Sequence, residues 1–149
     1  MSRSNFMQLA LEEARAAALR DEAPIGAVIV AGGTVIARAG NRTRELHDPT
    51  AHAEMLVLRE AAAKLNSERL SQADLYVTLE PCTMCAGAIS HARIRRLYFG
   101  AADEKGGAVT SGVRFFSQPS CLHRPEVYPD ISALESAELL RDFFRSRRT

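Results

Sequence analysis

The chain has no apolar run approaching the length of a membrane span, so no transmembrane helix is expected. Its opening residues, Met1-Ser2-Arg3-Ser4-Asn5, lead into Glu12, Glu13 and Arg15 with no apolar core between, which is not the pattern of a secretory signal. No internal repeat, low-complexity tract or linker breaks it up. Residues 1–149 therefore read as a single domain, long enough to bury about two-thirds of its unfolded surface. Cysteine is scarce: three residues, an odd count, do not make a disulfide scaffold and suit a reducing, cytoplasmic compartment. Charge of either sign is barely in excess. The net charge of +1 is nearly silent about nucleic acid, and 46% hydrophobic with 25% charged residues argues against disorder.

The distribution of charge says more than its sum. Residues 141–149 carry Arg141, Arg145, Arg147 and Arg148 against one acid, Asp142, and Arg93, Arg95 and Arg96 form a second cluster. Each is either a nucleic-acid contact or a solvated face.

Periodicity and turn residues divide the chain. Asn5–Arg20, rich in Ala, Leu and Glu, reads as a helix. Ile25–Ala31 and Thr34–Ala39 read as strands of an antiparallel hairpin turning at Gly32-Gly33. A polar loop, Arg42–Pro49, precedes a helix expected from Thr50 or Ala51 to about Leu65. Asp74–Leu79 reads as a buried strand ended by Glu80-Pro81, Cys82–His91 as a helix, and Arg95–Gly100 as a strand. Residues 101–125 look irregular, with a helical turn near Val113–Phe116. A short strand at Glu126–Tyr128 and a capping box, Ser132-Ala133-Leu134-Glu135, opening a helix to about Arg147 complete the pattern. Alternating strands and helices predict a layered α/β domain, and the hairpin makes its sheet mixed.

Two strings carry chemistry: His52-Ala53-Glu54 and, thirty residues on, Pro81-Cys82-Thr83-Met84-Cys85. His52, Cys82 and Cys85 offer three zinc ligands. A structural zinc usually has four protein ligands, whereas a catalytic zinc has three and keeps a place for water. Glu54 is then the natural acid/base for that water. Alone, the C-x-x-C could be a redox pair or half of a structural site, and His52 a helix cap. Cys121, His47, His91 and His123 could in principle supply a fourth ligand, but none falls in a second ligand-like pair. Both strings fall where helices begin, and helix N-termini favour thiolates. The H-x-E…P-C-x-x-C arrangement is the known signature of zinc-dependent nucleobase deaminases, so that assignment is a pattern match. In such a site, activated water attacks the amine-bearing ring carbon. Glu54 takes the proton from water and passes it to the ring nitrogen, and in a later transfer protonates the departing amine.

At these residues the chain resembles the cytidine/deoxycytidylate deaminase superfamily, and more closely its bacterial tRNA-specific adenosine deaminase (TadA-type) family. The resemblance extends over Pro24–Val28, Gly40-Asn41-Arg42, Asp48–Glu54, Leu75–Ala88, Phe99–Ala101 with Asp103 and Lys105, and Phe143-Phe144-Arg145 with Arg147 and Arg148. It implies a three-layer α/β/α sandwich around a mixed sheet of about five strands, the cytidine deaminase-like fold. It implies one Zn2+ per subunit on His52, Cys82 and Cys85, with Glu54 as proton shuttle. It further implies conversion of the wobble adenosine in a tRNA anticodon stem-loop to inosine, by a homodimer whose sites each receive residues from the neighbouring subunit. Asn41 is expected to hydrogen-bond the flipped base, unless it is only a turn residue. Ala53, Pro81, Asp103, Lys105, Phe144, Arg145 and Arg147 are the other expected substrate contacts. One of Phe143 and Phe144 is expected in the core.

Where many members of that family have Lys-Thr-Gly, this chain has Lys105-Gly106-Gly107, and the match weakens as far as Cys121. Cys121 is expected to be a buried or inert thiol, and His123 a phosphate contact or a plain loop residue. Two other functions fit parts of the pattern. A deaminase of free bases or nucleosides, such as guanine or cytosine, shares both zinc strings but has no need of a basic, aromatic C-terminal helix. A zinc-stabilised tRNA-binding protein without chemistry has no need of Glu54.

Overall fold

A computed structural model describes residues 2–147, so Arg148 lies outside the described residues. The elements run α1 Arg3–Leu19, β1 Gly26–Ala31, β2 Thr34–Gly40, α2 Ala53–Leu65, β3 Ala73–Leu79, α3 Thr83–His91, β4 Arg96–Ala101, a 3-10 turn Phe115–Ser117, β5 Glu126–Tyr128 and α4 Ala133–Ser146. The five strands lie in the order β2-β1-β3-β4-β5. β1 pairs antiparallel with both β2 and β3, while β3–β4 and β4–β5 are parallel, so the sheet is mixed as expected.

The period-2 alternation of the strands builds the layers. Ala27, Ile29, Leu75, Val77, Leu97 and Phe99 point to one face, where Val57, Leu58 and Ala61 of α2 and Ala86 and Ile89 of α3 cover them. Val28, Val30, Tyr76 and Tyr98 point to the other, under Phe6, Met7, Ala10 and Leu11 of α1, with Leu139 of α4 packed against them. Helices on both faces of one sheet give the three-layer α/β/α sandwich. Tyr76, Tyr98 and Tyr128 stand side by side on β3, β4 and β5, with successive ring centroids 4.3 and 4.9 Å apart, and Arg3 lies over the last two rings.

Element ends shift by one to three residues from the sequence reading, and two helix starts differ from it in their local contacts. α2 opens at Ala53 because the Asp48 carboxylate accepts the N–H and hydroxyl of Thr50 and holds residues 48–50 in a turn. At α4 the expected capping box does not form. Ser132 sits at the N-cap with φ 58°, and its side chain makes no cap bond. Glu135 reaches instead to Gln8 and Arg15 of α1. The tertiary contact outweighs the local one: Ile131 N–H is drawn to Phe99 O and the buried Ser136 packs on Gly100.

The close approach of α1 to the sheet depends on Gly26. A methyl there would lie against Ala10 O and 2.6 Å from Ala14 N, both backbone atoms of α1. Gly26→Ala is expected to push α1 off β1 and cost about 1–3 kcal/mol, as overpacked cores do. Thermal denaturation reads this directly, and an unchanged melting temperature would mean that the helix yields without cost.

Candidate active site

The site forms at the end of the sheet where β2 and β3 finish and β1 begins. His52 is the N-cap residue of α2 and Cys82 that of α3. Both have extended backbones (φ −71°, ψ 153° and φ −75°, ψ 177°), and neither side chain caps its helix. Each is free to point across to the other. The result is a cluster in which His52 Nδ1 lies 3.5 Å from Cys85 Sγ and 3.7 Å from Cys82 Sγ. All three donor atoms lie within 4.8 Å of one another, and they are the only such group among the described residues.

That geometry tests the metal. A tetrahedral ion with Zn–N near 2.0–2.1 Å and Zn–S near 2.3 Å holds a nitrogen and a sulfur ligand about 3.6 Å apart, so the donor set fits. Cys121 is not part of it: its thiol lies 3.1 Å from His123 O and 3.6 Å from Ser90 Oγ, and among the described residues His47, His91 and His123 also stay outside the cluster. His123 Nε2 meets Ile94 O at 2.7 Å, which makes it a loop fastener.

Without a metal, the negative charge of the cluster rests on one of its two thiols. The Cys85 thiol donates to Cys82 and, with the facing imidazole, lowers the Cys82 pKa to about 4; Cys85 itself is pushed far up by that thiolate and by burial. His52 is raised, chiefly by its hydrogen bond to Cys82. Glu54 is 4% exposed, and burial pushes its carboxyl up to about 7. A carboxyl poised near neutrality both accepts and returns a proton.

The other expected contacts fall into two groups. Asn41 is buried beside the metal cluster, and its Oδ1 accepts the Ala53 N–H at 2.8 Å. Among the described residues its NH2 group donates to nothing. Ala53 and Pro81 are themselves buried, with the Ala53 N–H taken by Asn41 and the Pro81 carbonyl by Ala108 N–H. Asp103, Lys105 and Phe144 come together along a groove of about 380 Å³ between the 101–105 segment and α4. Phe143 is buried and Phe144 is 51% exposed, so the pair divides as expected.

The arginines are more engaged than their spacing suggests. Arg147 is paired with Asp21 and lies 3.5 Å over the Phe143 ring, while Arg145 has a loose, exposed contact with Asp142. In the second cluster Arg95 makes two bonds of 2.9 Å to Asp74, and Arg96 approaches Glu126 at 3.5 Å. Those two ion pairs join the starts of adjacent strands, β3 to β4 and β4 to β5.

Two buried carboxylates went unread in the sequence. Glu22, 1% exposed, accepts the N–H groups of Arg44 and Glu45 and anchors the loop leading to His52. Glu80, 2% exposed, gathers the loop after β4. The only signal for Glu80 was its place before Pro81-Cys82.

With fold and site in view, the comparisons are direct. A family model described as MafB19-like deaminase matches residues 1–148. A tRNA-specific adenosine deaminase of Agrobacterium fabrum is 68% identical over 146 residues, 98% of this chain and 96% of its own. A solved structure from work on A-to-I editing by tRNA:A34 deaminases at the wobble position superposes with TM-score 0.91 and 69% identity, over 93% of this chain and 100% of that one. A guanine deaminase from Nitrosomonas europaea is 25% identical, with TM-score 0.79 over 95% of this chain and 84% of its own. The chain belongs to the deaminase family, and within it to the tRNA-specific adenosine deaminases.

The raised Glu54 pKa has a consequence for stability. In metal-free protein the unfolded carboxyl titrates near 4.5 and the folded one near 7. Below pH 4.5 both states are protonated and nothing is lost; as pH rises through 7 the folded state comes to hold a buried charge. At about 1.4 kcal/mol per unit this costs roughly 3 kcal/mol above pH 7. Metal-free Glu54→Gln should therefore melt higher than metal-free wild type at pH 8, with the gap closing toward pH 5. A gap independent of pH would contradict this.

Proposed function

We propose that this chain hydrolytically deaminates the wobble adenosine of a tRNA anticodon to inosine, releasing ammonia, and that residues 1–149 form one zinc-dependent deaminase domain. The observation that carries the chemistry is a three-donor cluster with a buried, near-neutral carboxyl two residues from its histidine. What supports the substrate is the 68% identity to a tRNA-specific adenosine deaminase, against 25% to a guanine deaminase.

His52, Cys82 and Cys85 would hold zinc, which when bound supplies a nucleophilic water at neutral pH. Glu54 takes a proton from the attacking water and delivers it to the adenine nitrogen beside the amine-bearing carbon. It then takes the second proton from the hydroxyl now bonded to that carbon and passes it to the amine, so that the C–N bond breaks, the C=O forms and ammonia leaves. The Asn41 NH2 group donates to the base, while its Oδ1 stays bound to Ala53 N–H and so keeps the amide oriented. The base must be splayed out of any stack to reach this depth, and a loop supplies such a base. Asp103 and Lys105 meet the sugar-phosphate, and Phe144 stacks a neighbouring base. Arg145 is available to phosphate. Arg147 reaches RNA only by leaving Asp21, so its share is the smaller. A homodimer in the cytoplasm is part of this reading: no described helix is long and apolar enough to cross a membrane, and a tRNA-modifying enzyme works where tRNA is.

Three measurements test it. Sequencing of tRNA after incubation with the purified protein should show adenosine read as inosine at the wobble position, and equal rates on free adenosine or guanine would replace this reading with a free-base deaminase. Glu54→Gln should keep its zinc and fold while losing about 10²–10⁴-fold in kcat; near-normal turnover would remove Glu54 from the chemistry. Phe144→Ala should leave the melting temperature unchanged, because the ring is half exposed. It should also weaken stem-loop binding by about 1–3 kcal/mol, the worth of one stacked base, and unchanged binding would return Phe144 to a bare surface role.

A further inference from the structure

Glu80 stands between the two halves of the site. In sequence it follows β3 and precedes Pro81-Cys82, so its backbone is continuous with the turn that presents the cysteines. Its side chain turns the other way and is wrapped by the loop after β4. Oε1 accepts the Asp103 N–H and the Ser111 hydroxyl, each at 2.9 Å. Oε2 accepts three successive N–H groups, from Val109, Thr110 and Ser111, each at 2.9 Å. Burial opposes ionisation of this carboxyl, but the donors around it win and hold it below the usual carboxylate range.

The loop closes tightly on this group. Gly107 lies where a Cβ would meet the Glu80 carboxyl carbon, with Glu80 Oε1 at 2.6 Å and Asp103 O at 2.5 Å. Ala108 N–H donates to Pro81 O, which ties the loop to the cysteine turn a second time. Asp103, placed by its own N–H on Glu80, in turn accepts the N–H groups of Lys105 and Gly106. The 103–111 segment is thus held first by one buried carboxylate, with Asp103 and Pro81 O taking further N–H groups, and not by a helix or strand.

We propose that Glu80 is a positioning residue: it couples the cysteine turn to the 103–111 loop and so sets Asp103 and Lys105 opposite Phe144 for productive RNA binding. Glu80 touches neither the metal donors nor the reacting base in this account, which rests on the reading of that groove as the RNA-facing one.

Glu80→Gln is selective. Its remaining oxygen keeps the three donors from 109–111 when the new NH2 faces the Ser111 hydroxyl, and the Asp103 N–H is left without an acceptor. Glu80→Ala removes every bond. The expected result for Glu80→Gln is a KM for an anticodon stem-loop raised about ten- to a hundredfold, the range for loss of a hydrogen bond to a charged group. kcat at saturation should stay within a few-fold and one zinc per chain should be retained. Glu80→Ala should raise KM further. Gly107→Ala should raise it too, and combined with Glu80→Ala it should add less than the product of the two effects, because both act through the same contact.

Hydrogen exchange of the RNA-free holoenzyme separates this inference from the reading it rests on. Glu80→Ala should speed amide exchange in 103–111 while α2 and α3 stay protected. If the wild type fails to deaminate the stem-loop, the proposed function falls, and the exchange data still decide what Glu80 orders. Unchanged loop exchange, a stem-loop KM at the wild-type value, or a loss of zinc and kcat with KM unaltered would each overturn the positioning role.

Discussion

Three electron-pair donors from two helix N-termini converge within 4.8 Å, and the loops that flank that convergence are held in shape by buried acids. An N-cap residue has extended backbone, so its side chain leaves the helix end freely. Here two such residues face each other across the end of the sheet, and Cys85 rises behind Cys82 from the first turn of α3. Two thiols and an imidazole so close are ill-matched without a cation. In its absence one proton stays on Cys85 and the Cys82 thiolate draws the imidazole toward its charged form. The cluster thus offers a divalent ion three ligands at tetrahedral spacing, with the buried Glu54 carboxyl beside them.

Around this centre, irregular loops are held by buried acids and not by secondary structure. Glu22 fixes the loop before α2 and Glu80 the loop after β4, each by accepting backbone N–H groups that would otherwise lack partners. The effect is a rigid sandwich carrying two loops of defined shape on either side of the metal cluster. A catalytic constellation needs such support, since small displacements of the groups around a reacting atom are costly in rate.

Much of this was legible in the sequence because it is locally encoded. The strands announced themselves by β-branched runs and the hairpin by Gly32-Gly33. The cluster was carried by two short strings whose spacing needs no knowledge of the fold. What stayed hidden was long-range. Glu80 leaves no periodic trace, because its partners are loop N–H groups 23 to 31 residues away. Arg95 and Arg96 looked like a basic patch because Asp74 and Glu126 are distant in sequence and adjacent only across the sheet. The capping box at Ser132 failed for the same reason: Glu135 found better partners on α1. Arg147, read from its neighbours as an RNA contact, is paired with Asp21 from the far end of the chain.

The central claim is that the metal centre has three protein ligands and keeps a fourth place for water. X-ray absorption at the zinc edge of the purified protein measures this most directly. The account predicts one zinc per chain, with one imidazole nitrogen, two sulfurs near 2.3 Å and one non-protein oxygen. A third sulfur or a second imidazole in the shell would contradict it and make the centre structural.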